Sequence, residues 1–249
     1  MRAALPTVPT LHSEWIKIRS LRGSLGGLIA VFVVTAGIQA LTAAAIGRSE
    51  DGSMGDDPLF AAYYGISFGQ IAAMVFGAGA VSCEFHNGAL RTSLAAVPNR
   101  TRFYLSKIAT VGVLALLAGQ ITGLVTFVAG QAFMGQYALE LGDPGTYRAV
   151  VGSGLYLTMM ALFAAGLTAV LRSGTVVLSL LIPFVLLVSF VVGEAAGGAA
   201  QFLPDRAGQL VLHAQTQGDL GPWTGLGVMA LWAGAAVLGG WLAVRRRDA

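Results

Sequence analysis

Few residues in this 249-residue chain have types and spacing that suit catalysis, and their sequence context argues against it. The pattern GxSxG occurs at 65–69, but in hydrolases its serine stands on a tight turn between a strand and a helix. Here Ser67 lies inside a long apolar run with no strand predicted before it. The three histidines show no HExxH spacing, and the one cysteine, Cys83, excludes a CxxC motif. We therefore predict no catalytic residues and no metal site; the histidines are His12, His86 and His213.

The chain also lacks a site for ATP of the usual kind. Its two lysines, Lys17 and Lys107, do not follow the glycines of a GxxxxGKS or GxxxxGKT phosphate-binding loop. The sequence thus predicts that the chain is not an enzyme and binds no cofactor directly.

The most polar residues inside the long apolar runs are four glutamines, and two roles fit them. They could form hydrogen bonds between neighbouring helices, or they could line a pathway for an amphiphilic substrate. Acidic and basic residues are missing from the middle of these runs, which argues against a carrier driven by an ion gradient. The glutamines are Gln39, Gln70, Gln120 and Gln131.

The elements that hold these residues are membrane spans. The chain is 55% hydrophobic and 11% charged, against roughly 25% charged residues in a soluble domain. Runs of about 18 or more apolar residues predict spanning helices. The sequence predicts an all-α fold with six of them, at 25–46, 59–82, 108–133, 149–171, 175–192 and 223–244.

Basic residues orient these spans with both termini in the cytoplasm. In this topology only Arg48, Arg148 and Arg206, of 15 basic residues, lie outside. The net charge of +3 is then explained by the flanks of the spans, and no nucleic-acid partner is expected. We expect one transmembrane domain over 1–249, with a cytosolic leader at 1–24, a bundle at 25–244 and a tail at 245–249.

The leader is expected to form an amphipathic helix in the membrane interface. Leu11, Trp15, Ile18 and Leu25 follow helical spacing, with charged residues on the other faces. A charged leader without a defined helix is the alternative.

The polar segment between the second and third predicted spans is the best surface for a cytosolic partner. Gly88 can end the preceding helix, 89–96 can form about two helical turns, and Pro98-Asn99 can turn the chain. Glu84 and Arg91 could form charge-assisted hydrogen bonds with the partner or within the chain. An ion pair of Glu84 with a base of the leader is equally compatible with the spacing.

Small residues recur at steps of four in the second and third spans, which predicts close helix packing. They are Gly65, Gly69, Ala73, Gly77, Gly119 and Gly123. Pro183 is expected to kink the fifth span. After Pro204, apolar residues at helical spacing predict a short amphipathic extracellular helix that rests on the outer leaflet or caps the bundle.

Three segments resemble those of bacterial type-2, export-type ABC transporter permeases. They are 13–22 (SEWIKIRSLR), 84–100 (EFHNGALRTSLAAVPNR) and 203–209 (LPDRAGQ). In the second, this family typically shows an acid, an aromatic residue, a glycine, a small apolar pair, and then an arginine with a threonine or serine. Span number and orientation are also similar, so the resemblance covers essentially the whole chain.

The resemblance implies a multi-pass permease of the bacterial plasma membrane that exports an amphiphilic, drug-like or lipid-like substrate. Its partners would be two copies of a cytosolic ABC ATPase, which bind ATP and Mg²⁺, and a second permease subunit, identical or not. A regulator or assembly factor that moves nothing is the alternative.

It also implies two contact elements. A connecting helix would include Glu14, Trp15, Lys17, Ile18, Arg19 and Arg22, and a coupling helix would include Glu84, Phe85, His86, Asn87, Gly88, Leu90, Arg91 and Thr92.

Overall fold

The computed structural model describes residues 22–48, 57–86, 89–135, 138–188, 197–215 and 218–246. All regular structure in these residues is helical. The predicted connecting helix lies outside them except for Arg22, and so do Asn87 and Gly88 of the predicted coupling segment.

Nine α-helices follow one another along this part of the chain. They are α1 (Arg22–Arg48), α2 (Pro58–Ala61), α3 (Ile66–Ser82), α4 (Ala89–Ala96), α5 (Arg100–Met134), α6 (Thr146–Leu171), α7 (Gly174–Pro183), α8 (Pro204–Gln209) and α9 (Pro222–Arg246). Short 3₁₀ segments extend α3 and α8, at Cys83–Phe85 and Leu210–Leu212, and another covers Gly197–Phe202. A π-helical turn, Phe184–Val188, extends α7.

In the part of the chain that the structure describes, five helices are long and apolar enough to cross a membrane, so the chain is a multi-pass membrane protein. They are α1, α3 with its 3₁₀ extension, α5, α6 and α9. The third predicted span lies within a longer helix, since α5 begins at Arg100 and has 35 residues. Its length of about 52 Å exceeds a hydrocarbon core of roughly 30 Å, so α5 extends beyond the bilayer.

The fifth predicted span is covered only in part. Within the described residues it is a shorter apolar helix, Gly174–Leu187. Pro183 stands where its α-helical turns change to π-helical ones. Proline has no N–H to donate and its ring crowds the preceding turn, which accounts for the change at this position. Within the described residues five helices can therefore cross a membrane, and the sixth span stays a prediction.

The second predicted span is not one continuous helix. It divides into α2 and α3, with turns between Ala61 and Ile66. Gln39 of α1 reaches this junction: its Nε2 donates to Ala61 O at 3.1 Å, and its Oε1 accepts from Gly65 N at 3.0 Å. Backbone groups freed inside a membrane bundle need such partners, so Gln39 makes the interruption possible.

Helix α6 is the centre of the bundle, because α3, α5 and α9 all pack against it. Helix α1 packs on α3 and α5, α7 on α3 and α6, and α8 on α9. Glycines permit this close approach. A Cβ added at Gly77 of α3 would lie 2.0 Å from Ala161 O of α6, and one at Gly119 of α5 would lie 2.9 Å from Gly154 O.

The glycines of the second span pack against two different helices of the same chain. Gly65 and Gly69 lie against Thr35 of α1, whereas Gly77 lies against Ala161 of α6. A step of four residues advances about 40° around a helix, so the stripe turns from one neighbour to the next. Gly123 packs on Ser153 of α6. Ala73 is buried among them.

The outer surface of the bundle is apolar. Large hydrophobic side chains are exposed at helical spacing along α5, and others cover α1 and α9. In a multi-pass membrane protein these surfaces face lipid or another apolar helix. The α5 series is Leu105, Val113, Leu117, Ile121, Leu124 and Val128.

Candidate functional site

Helix α4 has one face against the bundle and one face in solvent. Leu90 is buried, and Ser93, one turn further on, donates its hydroxyl to Glu84 Oε2 at 2.9 Å. Arg91 and Thr92 are exposed on the other side. This division follows from helical spacing, since residues three or four apart share a face. The eight-residue helix thus presents a cation and a hydroxyl outward.

The inner face of α4 is anchored on a buried ion pair. Lys107 Nζ donates to Glu84 Oε1 at 2.7 Å, and their side chains are only 2% and 6% exposed. Glu84 stands on the 3₁₀ turn that continues α3, and Lys107 is about two turns into α5. A charge removed from water needs a close opposite charge and further hydrogen bonds, and Glu84 has both.

Within the described residues, Glu84 therefore forms an ion pair with Lys107. The sequence left open whether Glu84 pairs within the chain or with a partner, and placed Lys107 among the flanking cytosolic bases. Lys107 instead lies inside α5 and is buried. Its separation of 23 residues from Glu84 exceeds any local spacing rule, which explains why the sequence did not reveal the pair.

The corner between α3 and α4 is tight. His86 Nδ1 lies 2.9 Å from Ser82 O, and Ala89 N donates to His86 O at 3.0 Å. Phe85 is partly buried against the core. After α4, Asn99 caps α5 by accepting from Arg102 N at 3.0 Å. Hydrogen bonds thus join His86 to the first residue of α4 and cap the helix that follows it.

A further set of contacts at this end joins α5 to α9, and the sequence did not reveal it. Tyr104 donates its hydroxyl to Val237 O at 2.9 Å, and Trp241 Nε1 donates to Thr101 Oγ1 at 3.1 Å. Arg100 donates to Val244 O at 3.3 Å. The aromatic and hydroxyl types at helix ends are the only sequence signal for these contacts. They tie the C-terminal half of α9 to the same stretch of α5 that carries Lys107.

Three of the four predicted glutamines bind backbone between elements. Gln39 holds the junction of α2 and α3, and Gln120 of α5 donates to Val151 O of α6 at 3.0 Å. Gln131 accepts from Leu139 N at 2.7 Å and so ties the following loop to α5. Gln70 differs, because it is buried beneath a cavity at the other end of α3.

That cavity has a volume of about 720 Å³. It lies among the start of α3, the end of α7 and helix α8. Below it, Tyr156 of α6 donates its hydroxyl to Gln70 Oε1, and Gln209 Nε2 donates to the Tyr156 hydroxyl at 3.3 Å. The resulting three-residue network, Gln70–Tyr156–Gln209, joins α3, α6 and α8.

The segment after α8 is fixed to the start of α2. Asp57 caps α2 by accepting from Phe60 N, and it also accepts from Ala214 N at 3.1 Å. His213 Nδ1 is 2.9 Å from Asp57 Oδ2, and its ring stacks on Phe60 with centroids 4.4 Å apart. His213, isolated in the sequence, thus joins two segments 156 residues apart.

Helix α8 is inserted among the spans. Ala207, Gly208 and Val211 are buried, with Gly208 against Tyr156 and Val211 against Gly152. Asp205 is also buried, and it lines the cavity. Gly208 lets this helix approach α6 closely, because a side chain at this position would meet the ring of Tyr156.

Among the residues that the structure describes, no group of three His, Cys, Asp or Glu side chains could hold a metal ion. Ser67 lies in the first turn of α3. No protein-family model matches this chain, and no curated protein matches it.

Proposed function

We propose that this chain is the membrane-spanning subunit of an ATP-driven exporter of the type-2 ABC class, moved by a separate ATPase. The observation that carries the proposal is the division of α4 into a face anchored on the bundle and a face exposed to solvent. One face of this short helix is anchored on the Glu84–Lys107 pair, and the other presents Arg91 and Thr92 to solvent. The three sequence segments that resemble such permeases support the same proposal.

The contacts of α4 suggest how force would reach the spans. Ser93 binds Glu84 and Glu84 binds Lys107, so a push on α4 acts on α3 and α5 together. The 14 residues from Gln70 to Glu84 would span about 21 Å as helix, which connects the α4 end of the bundle with the cavity. Close packing of Gly77 on Ala161 would pass movement of α3 to α6.

The proposed assembly holds two ATPase subunits and a second permease in the bacterial plasma membrane. ATP and Mg²⁺ would be bound by the ATPase subunits. The connecting helix of the leader would provide a second contact with them. The cargo would be an amphiphilic molecule.

Reconstitution into vesicles tests the proposal. The chain is purified together with the phosphate-loop ATPase that accompanies it. A fixed amount of the chain is then mixed with increasing concentrations of the ATPase, and ATP hydrolysis is measured at each concentration. Arg91→Ala is expected to weaken binding of the ATPase. The ATPase concentration at which the chain stimulates ATP hydrolysis half-maximally should rise about tenfold or more. A hydrogen bond to a charged group contributes about 1.5–3 kcal/mol, and 1.4 kcal/mol is a factor of ten. Arg246→Ala, an exposed arginine at the end of α9, is the matched control.

Two results would overturn the proposal. Transport by the chain in vesicles without any ATPase would remove the need for a partner. A partner ATPase that binds the chain normally but never drives movement of cargo would favour the regulator or assembly factor instead.

A further inference from the structure

The cavity beside α8 combines three kinds of side chain on different walls. Aromatic rings come from α2 and the start of α3, charged groups come from α8, and aliphatic groups come from the π-helical turn after α7. Its volume of about 720 Å³ falls within the roughly 300–1,000 Å³ of small-molecule sites. Both size and composition therefore suit a ligand with a polar head and an apolar body.

The aromatic wall is a ladder of three rings at steps of four residues. Phe60 and Tyr64 meet edge to face with centroids 6.4 Å apart, and Tyr64 and Phe68 do so at 5.8 Å. All three line the cavity. The face of an aromatic ring attracts organic cations, and quaternary ammonium groups are bound in proteins by aromatic side chains.

The α8 wall of the cavity carries both signs of charge. Asp205 is buried and Arg206 is partly buried, and both line the cavity. A guanidinium binds phosphate through paired hydrogen bonds. A carboxylate and a guanidinium on one wall suit a head group that itself carries a cation and an anion.

The aliphatic wall gives the ligand a place for its chain. Val185 is buried and Leu186 is largely exposed, so this wall reaches from the surface of the bundle into the cavity. An acyl or alkyl chain could lie along it while the head stays near α8. The cavity lies at the end of α3 opposite α4, which the predicted topology places on the outer side of the membrane.

We propose that this cavity binds a zwitterionic, lipid-like amphiphile, with its ammonium group at the Phe60–Tyr64–Phe68 ladder and its anionic group at Arg206. Only the identification of this ligand with the transported cargo rests on the proposed function. Binding itself requires this chain alone.

Binding of a labelled lysophosphatidylcholine to the full chain tests the inference. The chain is placed in phosphatidylglycerol nanodiscs, so the bilayer supplies no choline, and empty nanodiscs give the partition background. Tyr64→Leu keeps an apolar side chain but removes the ring face, and it should weaken binding about three- to thirty-fold. Tyr147→Leu is the matched control, because Tyr147 is an exposed tyrosine outside the cavity.

Head-group competition gives a second measurement that does not depend on a variant folding. Unlabelled lysophosphatidylcholine should displace the label at lower concentration than an alkyltrimethylammonium, which lacks the anion, or a lysophosphatidylglycerol, which lacks the cation. Arg206→Gln should abolish the advantage of the zwitterion over the alkyltrimethylammonium, and Arg206→Lys should retain part of it.

Two results would overturn the inference. One is equal displacement by lysophosphatidylcholine and lysophosphatidylglycerol, and the other is an equal effect of Tyr64→Leu and Tyr147→Leu. Because no ATPase is present, either result would leave the test with Arg91→Ala unaffected. Conversely, binding with the expected selectivity but no ATP-driven transport would retain the site and remove the proposed function.

Discussion

At the scale of single residues, the Glu84–Lys107 pair holds three elements at one point. The two side chains are almost fully buried, and Ser93 adds a hydrogen bond from α4. A buried ion pair contributes little net stability compared with apolar side chains, but breaking it strands a charge. Its role here is to fix where α4 sits relative to α3 and α5.

Glu84→Ala should therefore destabilise the chain by about 3–5 kcal/mol, because the Lys107 ammonium would stay buried without its carboxylate. Thermal unfolding in detergent measures the effect. The double variant Glu84→Gln with Lys107→Met should recover most of the loss, since it removes both charges. Glu140→Ala, at an exposed acid, is the control and should change stability by less than about 0.5 kcal/mol. If Glu84→Ala were as stable as Glu140→Ala, the ion pair would not be structurally important.

At the scale of elements, two features of the second span depend on one residue each. Gly77 lets α3 touch the backbone of α6, and Gln39 binds the backbone where α2 and α3 separate. Both are packing roles between helices of this chain. They are tested with variants that change one contact at a time.

Gly77→Ala should lower stability by about 1–3 kcal/mol, because the added methyl would meet Ala161 O at 2.0 Å and force α3 from α6. Gly79→Ala is the matched control on the same helix, with nothing within 4 Å of its added methyl. Alanine favours helix over glycine by up to about 1 kcal/mol, so this control should be neutral or slightly more stable. Unfolding midpoints that fall equally in both variants would contradict the close packing of α3 on α6 at Gly77.

Gln39→Leu should also destabilise the chain, because Ala61 O and Gly65 N would lose their partner in a buried position. Each unsatisfied buried group costs about 1–3 kcal/mol. Hydrogen exchange of the Gly65 amide is the specific measurement, and it should become faster. Gln120→Leu removes a hydrogen bond between α5 and α6 and should leave the Gly65 amide unchanged.

At the scale of the whole molecule, the helices place the two candidate sites at opposite ends of the bundle. Glu84, Lys107 and α4 are at one end of α3, and the cavity with α8 is at the other. The basic flanks predict that the α4 end is cytoplasmic. An exporter of the proposed kind needs this separation, because its ATPase and the release of its cargo are on different sides of the membrane.

Cysteine labelling of intact cells tests this orientation. In a Cys83→Ser background, Asp219→Cys should react with a membrane-impermeant maleimide from outside, whereas Thr92→Cys should react only after permeabilisation. Both positions are exposed, so burial does not confound the comparison. The opposite labelling pattern would invert the topology and place α4 outside.

The sequence alone determined the class of the protein and most of its spans. Long apolar runs in α1, α5, α6 and α9 predicted helices because a membrane span must satisfy its own backbone hydrogen bonds. The position of α4 was also predicted, since Gly88 can end the preceding helix and Pro98-Asn99 can turn the chain after it.

Only the tertiary structure decided which residues meet. Glu84 pairs with Lys107, and Gln39 binds the junction of α2 and α3, so both contacts join residues far apart in the chain. The burial of Asp205 also depends on elements distant in the sequence. Local periodicity cannot specify such pairs, because it reports only which residues share a face of one helix. Glycines bring α3 and α5 into close contact with α6, and this choice of neighbour is likewise set by the tertiary structure.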